Sequence, residues 1–207
     1  YGSHPFYLVV LDDGSTHGAM LLSSTAMDVT LDDTYLSIQT TGGTIEFYIF
    51  AGPSPKEVIQ QYLDVVGRPM MVPYWSLGFH NCRWGYPNLA YVAEVVANYS
   101  SASIPLETQW VDIDYMQSYL DFTVDATNYP LDDIKSFVGE LHTNHQYFVP
   151  IIDPGIYALN NTYPPYIRGM EHDVLVKDLT GGAAYLGQVW PGPTVYPDWF
   201  AVNTSMY

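Results

Sequence analysis

The chain has 207 residues, 48% hydrophobic and 14% charged, enough apolar content for one large domain or two small ones and too ordered in composition for a disordered chain. Its 6 basic residues against 22 acidic ones leave a net charge of −16, which argues against nucleic acid and against an anionic membrane surface, since both need a basic face. The single cysteine, Cys82, excludes a disulfide within the chain, and 19 tyrosines on a weakly charged, acidic background suit extracellular work on neutral ligands.

The first fifty residues read as short strands with close turns. Phe6 to Leu11 is an apolar run that ends in Asp12-Asp13-Gly14. Ala19 to Leu22, Met27 to Leu31 and Tyr35 to Thr40 follow, the last running into Gly42-Gly43. Thr44 to Phe50 alternates, with Ile45, Phe47 and Ile49 on one face and Glu46 and Tyr48 on the other. This pattern predicts part of an antiparallel sandwich. Ser54-Pro55-Lys56-Glu57 then opens a helix as a capping box with proline at the first helical position. Ile59, Leu63 and Val66 space its apolar face, Gly67-Arg68-Pro69 ends it, and it is expected to link two domains.

Beyond the helix, strand and helix alternate. Leu77 to His80, Leu106 to Asp114 and Gln146 to Asp153 are predicted strands. Between them lie one helix capped by Asn88, with Leu89, Val92, Val96 and Tyr99 inward, and another carrying Ile134, Phe137, Val138 and Leu141. Repeated βα units with continuous apolar strands mean a parallel sheet covered by helices. Pro154 to Tyr207, rich in Pro, Gly and Tyr, reads as loop. No run is long enough for a membrane span and nothing at the start resembles a signal peptide; the opening at Tyr1 suggests processing or truncation. Asn98, Asn160 and Asn203 head glycosylation sequons, and three of them favour a secretory route and a secreted or extracellular protein.

Chemistry in such a sheet belongs at the carboxyl ends of the strands. There the chain places His80 to Trp84, then Asp112-Ile113-Asp114-Tyr115-Met116, then Asp153-Pro154. A strand would turn Asp112 and Asp114 to one face. Paired carboxylates beside aromatic rings read as a sugar site, because carboxylates accept from hydroxyl pairs and rings pack on pyranose faces. A bare Asp-x-Asp caps turns more often than it binds a ligand. The six histidines lack zinc spacing, Asp12-Asp13-Gly14 is too short for a calcium loop, and no phosphate-binding glycine loop is present, so no metal or cofactor is expected. His80 and Cys82, two apart on a strand, make poor geometry for a nucleophile pair, and a buried structural cysteine is the better reading.

Five strings resemble glycoside hydrolase family 31 in order along nearly the whole chain: 78–86 (Gly-Phe-His-Asn-Cys-Arg-Trp-Gly-Tyr), 109–116 (Gln-Trp-Val-Asp-Ile-Asp-Tyr-Met), Asp121-Phe122-Thr123, 151–156 (Ile-Ile-Asp-Pro-Gly-Ile) and Val189-Trp190-Pro191-Gly192. The opening residues 1–7 and 26–29 match as well. The resemblance is strongest to the maltase-type α-glucosidases, and Asp-Ile-Asp-Tyr-Met leans away from the endoplasmic-reticulum trimming enzyme.

The resemblance implies a mixed fold: the end of an antiparallel β-sandwich (1–53), a linking helix (54–69) and the first three βα units of a (β/α)8 TIM barrel (70–207), incomplete in this chain. It implies a retaining α-glucosidase that releases glucose from non-reducing ends of maltose, malto-oligosaccharides or starch, with possible transfer to another sugar. The family's nucleophile and acid/base aspartates lie in motifs that this sequence lacks, so no catalytic residue is assigned. What carries over is part of the glucose pocket: Asp112 as the carboxylate that holds hydroxyls, Trp84, Ile151 and Trp190 as walls, and Asp114 and Met116 as supports. Asp153 equally serves to orient its strand. A second chain carrying the rest of the barrel is the expected partner, from a precursor cut into associated pieces; a plain fragment of a longer chain is the other possibility. A carbohydrate-binding module without chemistry is the alternative function, and the alternating βα stretch is what it would not need.

Overall fold

A computed structural model describes residues 3–158 and 162–206, and the chain divides into two compact units, 1–71 and 72–207. The first unit holds β1 (Phe6–Val10), β2 (Thr16–Leu21), β3 (Met27–Leu31), β4 (Leu36–Thr40), β5 (Phe47–Phe50) and α1 (Pro55–Val66). All its pairings are antiparallel: β1-β2-β5 form one sheet and β3-β4 a separate hairpin. Between β1 and β2 the Asp13 carboxylate accepts from both the amide and the hydroxyl of Ser15, and Gly14 takes the positive φ that the turn needs.

The capping box that opens α1 is complete. Ser54 Oγ accepts from the Glu57 amide and Glu57 Oε2 accepts from the Ser54 amide. The helix packs on its own sheet, burying Val58 against Met20 and Phe50 with Phe6 and Tyr62 alongside. A side chain at Gly18 would come within 2.7 Å of Val58 Cγ1, so this glycine is what lets helix and strand approach. The helical face is rotated from the expected one: Val58 and Tyr62 point inward, whereas Ile59 and Val66 are exposed. In β5 the alternation is real, and the side turned to α1 is that of Tyr48 and Phe50. Tyr48 and Phe50 pair with Met20 and Gly18 on the α1 face, which leaves Ile45, Phe47 and Ile49 exposed.

The second unit is built on a parallel sheet in the order β6 (His80–Asn81), β7 (Thr108–Val111) and β8 (Tyr147–Pro150). Helix α2 (Leu89–Ser101) connects β6 to β7, and α3 (Leu131–Thr143) connects β7 to β8. Asn88 caps α2 by accepting from the Tyr91 amide. Leu89 and Val92 of α2, Phe137 and Leu141 of α3, and Val111 and Ile113 share one core.

The strands are shorter than their apolar runs. Tyr74–Leu77 is a 3-10 turn, so the first strand begins only at His80. The second ends at Val111, because Ile113–Tyr115 forms another 3-10 turn. Residues after Pro154, expected as loop, contain β9 (Ile156–Tyr157), α4 (Pro164–Glu171), β10 (Gly187–Val189) and β11 (Gly192–Val195). Here β10-β11-β9 form an antiparallel sheet, and Ile156, Leu175 and Val195 build a second small core with Tyr163. Prolines 164 and 165 stand in the first turn of α4, where a missing N–H costs nothing.

Candidate functional site at the ends of the parallel strands

The exits of β6, β7 and β8 lie side by side through the parallel register, and the Ile151 amide extends it by donating to Val111 O at 3.1 Å. A polar network fixes the first exit. Asn81 Nδ2 donates to Tyr86 Oη at 2.7 Å and to Gln109 Oε1 at 2.9 Å, and Tyr129 Oη donates to Tyr86 O at 2.6 Å. Gln109 is fully buried, so this network satisfies a polar group that the sheet would otherwise strand. Trp110 Nε1 donates to His80 Nδ1 at 2.9 Å, which leaves Nε2 to donate to Ser76 O at 3.1 Å. Both ring nitrogens are therefore engaged, and His80 has none left to activate a thiol. Cys82 is exposed, not buried as expected of a structural cysteine, and its thiol pKa is raised by desolvation first and then by the carboxylates of Asp112 and Asp114, which disfavours the thiolate.

Trp84 lies in the loop after β6 and is 64% exposed. The loop is held on both sides of it. Arg83 stacks over the Tyr86 ring, 5.7 Å from its centroid, and the Gly85 amide donates to Asp114 Oδ2 at 2.8 Å. Asp114 thus acts on the tryptophan loop through the backbone of Gly85.

Asp112 and Asp114 do not share the face of a strand. Asp112 is the N-cap of the Ile113–Tyr115 turn, with Oδ1 accepting from the Ile113 amide at 2.7 Å, and Asp114 lies inside that turn. The turn leaves one carboxylate at the strand exit and sends the other across to Gly85. Met116 is buried in the core beneath.

Ile151, half-buried, directly follows β8, and its carbonyl accepts from Tyr115 Oη at 2.7 Å. Asp153 is held above its ordinary pKa by burial first and by the Asp112 charge second. The Asp153 amide donates to Oδ1 of Asp121 at 2.8 Å. Asp121 is 1% exposed, and burial, opposed by that hydrogen bond and reinforced by the Asp153 charge, pushes its pKa up to about 6. Burial, with Asp121 and Asp153 adding, likewise raises Tyr115 to about 12. Sequence reasoning assigned no role to Tyr115 or Asp121; the Asp121-Phe122-Thr123 string was the one available signal.

The structure thus brings Asp112, Asp114, Ile151, Asp153 and the Trp84 loop together. Trp190 belongs to a different element, the two-residue tip of the β10–β11 hairpin, where it is 63% exposed and followed by Gly192 at positive φ. Among the sequons, Asn98 is exposed near the end of α2 and Asn203 is exposed before the closing Thr204–Met206 turn; Asn160 lies outside the described residues. Chemically, the cluster is a set of carboxylate acceptors beside an exposed indole, suited to holding hydroxyl-rich ligands.

Residues 69–207 match the glycosyl hydrolases family 31 TIM-barrel domain. A probable alpha-glucosidase of Oryza sativa subsp. japonica is 50% identical over 203 residues, covering 96% of this chain and 23% of the relative. The lysosomal alpha-glucosidase of Bos taurus is 49% identical over 201 residues, covering 96% of this chain and 21% of the relative. The crystal structure of a family 31 alpha-glucosidase from Bacteroides thetaiotaomicron superposes with a TM-score of 0.82 at 28% identity, covering 100% of this chain and 34% of that one. The chain therefore spans between a fifth and a quarter of the length of these two sequence relatives. With its barrel domain matched over residues 69–207 and two relatives near half identical along almost all of the sequence, the chain belongs to glycosyl hydrolase family 31.

Proposed function

We propose that this chain forms one side of the glucose pocket of a retaining α-glucosidase that releases glucose from the non-reducing ends of α-glucosides, with water or a second sugar as acceptor. The observation that carries the reading is the convergence of Asp112, Ile151 and the Asp114-anchored Trp84 loop at adjacent parallel strand exits. Asp112 holds hydroxyls of the terminal glucose, Trp84, Ile151 and Trp190 wall the pocket, and Asp114 supports the Trp84 loop. Retaining hydrolysis needs two carboxyl groups roughly 5–5.5 Å apart across the scissile bond, one as nucleophile and one as acid/base. We assign both to polypeptide outside this chain and neither to Asp112 or Asp114.

The same polypeptide closes the barrel, and the 1–53 segment contributes to a β-sandwich joined to it through residues 54–69. Support comes from the open sheet: among the described residues β6 and β8 each have one strand neighbour, and an uncovered edge presents unpaired backbone groups. We further propose that a second chain supplies the missing strands. Active material separated under denaturing conditions should contain more than the 23.3 kDa polypeptide. Maltose hydrolysis by that material, with glucose released in the α configuration, supports the reading. Absence of hydrolysis, or release of β-glucose, overturns it, and an active species made of this polypeptide alone overturns the two-chain assembly.

A secretory route follows from the exposed sequons at Asn98 and Asn203. Protein from its native source is expected to lose mass on endoglycosidase treatment. An unchanged mass would count against that route.

A further inference from the structure

Two side chains from the segment after β7 grip the backbone where β8 ends. Tyr115 Oη donates to Ile151 O at 2.7 Å, and Asp121 Oδ1 accepts from the Asp153 amide at 2.8 Å. These contacts flank Ile152, so they fix the direction in which the strand leaves the sheet. The second grip is itself anchored, because Asp121 O accepts from Tyr163 Oη at 2.7 Å. Asp121 is 1% exposed, yet the ion pairs among the described residues are Arg68–Asp64, Lys135–Asp132 and Lys177–Asp173, none of which involves it. A carboxylate buried without a cation is costly. That cost makes an idle aspartate here a poor solution, and the bond to Asp153 gives it a purpose.

We propose that Asp121 is a positioning residue of the sugar pocket: by holding the Asp153 amide it fixes the exit of β8 and with it the placement of Ile151 and Asp153 beside Asp112. This rests on the glucose-pocket reading above. The groups that face Asp121 are the Asp153 carboxylate, which repels it, the Tyr115 phenol, and Tyr163 on its own carbonyl. The segment between β7 and α3 therefore carries Asp112 and also sets the wall beside it.

The test uses the complete enzyme with Asp121→Ala and Asp121→Asn, and reads KM and kcat on maltose, the inhibition constant of glucose, and hydrogen exchange in the peptide covering 151–157. The alanine variant should raise KM and the glucose inhibition constant by roughly tenfold or more, with a smaller change in kcat, as a displaced pocket wall requires. Exchange in 151–157 should rise with it. Asparagine, whose amide oxygen still accepts from the Asp153 amide, should return both constants to within about threefold of wild type. Wild-type constants in Asp121→Ala, or equal impairment in both variants, would overturn the proposal. If the alanine variant does not fold, Asp121→Glu decides in the same way, because it keeps the charge but displaces the acceptor by a methylene. Wild-type enzyme that neither hydrolyses maltose nor binds glucose defeats the glucose reading instead. In that case exchange in 151–157 still judges the anchor, and unchanged exchange in Asp121→Ala defeats it.

Discussion

Asp112→Asn is expected to leave the fold intact and to lower kcat/KM for maltose in the complete enzyme by roughly 10- to 150-fold, the equivalent of charge-assisted hydrogen bonding worth about 1.5–3 kcal/mol. The fold survives because the amide oxygen of asparagine can accept from the Ile113 amide as Oδ1 of the aspartate does at 2.7 Å. The turn that carries Asp114 and Tyr115 therefore keeps its cap. What asparagine cannot supply is a charged acceptor for a pair of sugar hydroxyls. The loss should appear in the inhibition constant of glucose as well as in KM. Asp112→Ala removes the cap too and should add about 1 kcal/mol of destabilisation. If Asp112 serves only the turn, the asparagine variant will hydrolyse maltose at the wild-type rate, and thermal melting will separate the alanine variant alone.

The turn at Asp112 shows how the sequence can mislead and inform together. Asp-x-Asp after an apolar run suggests a strand with two carboxylates on one face. The chain instead leaves the strand at Val111 and turns, so Asp112 caps while Asp114 reaches back to Gly85. Turn-capping and pocket-lining are compatible because a carboxylate has two oxygens and one suffices for the cap. The order of the parallel strands and their helices is legible all the same, since apolar runs and capping residues such as Asn88 fix the βα alternation locally.

Elsewhere, legibility tracks how local the determining interaction is. The Ser54–Glu57 capping box and the Asp13–Gly14 turn depend on neighbours within three residues, and both are present as read. Which side of β5 is buried depends on where α1 settles, a contact between Val58 and strand residues some 38 to 40 positions away in the case of Met20 and Gly18, so alternation alone does not pick the side. The β10–β11 hairpin was missed because its tip, Trp190-Pro191, is not a familiar turn pair and its strands are only three and four residues long. Asp121 was passed over for the same reason in sharper form. Nothing near an aspartate in sequence announces that it will be buried, and its partner amide lies 32 residues further on.

The charge on Asp121 should leave a signature in stability as a function of pH that Asp121→Asn abolishes. Burial, with the Asp153 charge adding to it, holds the folded pKa near 6 against an ordinary 3.8. A raised carboxylate means that the folded state keeps its proton where the unfolded chain has released it. Between pH 3.8 and about 6 the folded state therefore binds more protons, and stability falls as pH rises through that window. The penalty is absent below the window and fully present above it, and its size is about 3 kcal/mol. Asparagine has no such proton, so the stability of the variant relative to wild type should drop by about 2.4 kcal/mol as pH is lowered from 7.5 to 4. Whether the buried amide finds partners shifts the whole difference up or down by an amount independent of pH, so the slope is the diagnostic. Asp153, also raised, titrates in both proteins and cancels to first order, while Tyr115 at about 12 stays protonated throughout. Hydrogen exchange in peptides from residues 72–207 of the complete enzyme, across a denaturant series at pH 4 and pH 7.5, gives both stabilities. Parallel stability curves would show that Asp121 is neither buried as a charge nor strained by Asp153. A relative stability that drops on acidification, together with near-normal maltose kinetics in the same variant, would mean that the enzyme tolerates the charge for the acceptor it provides.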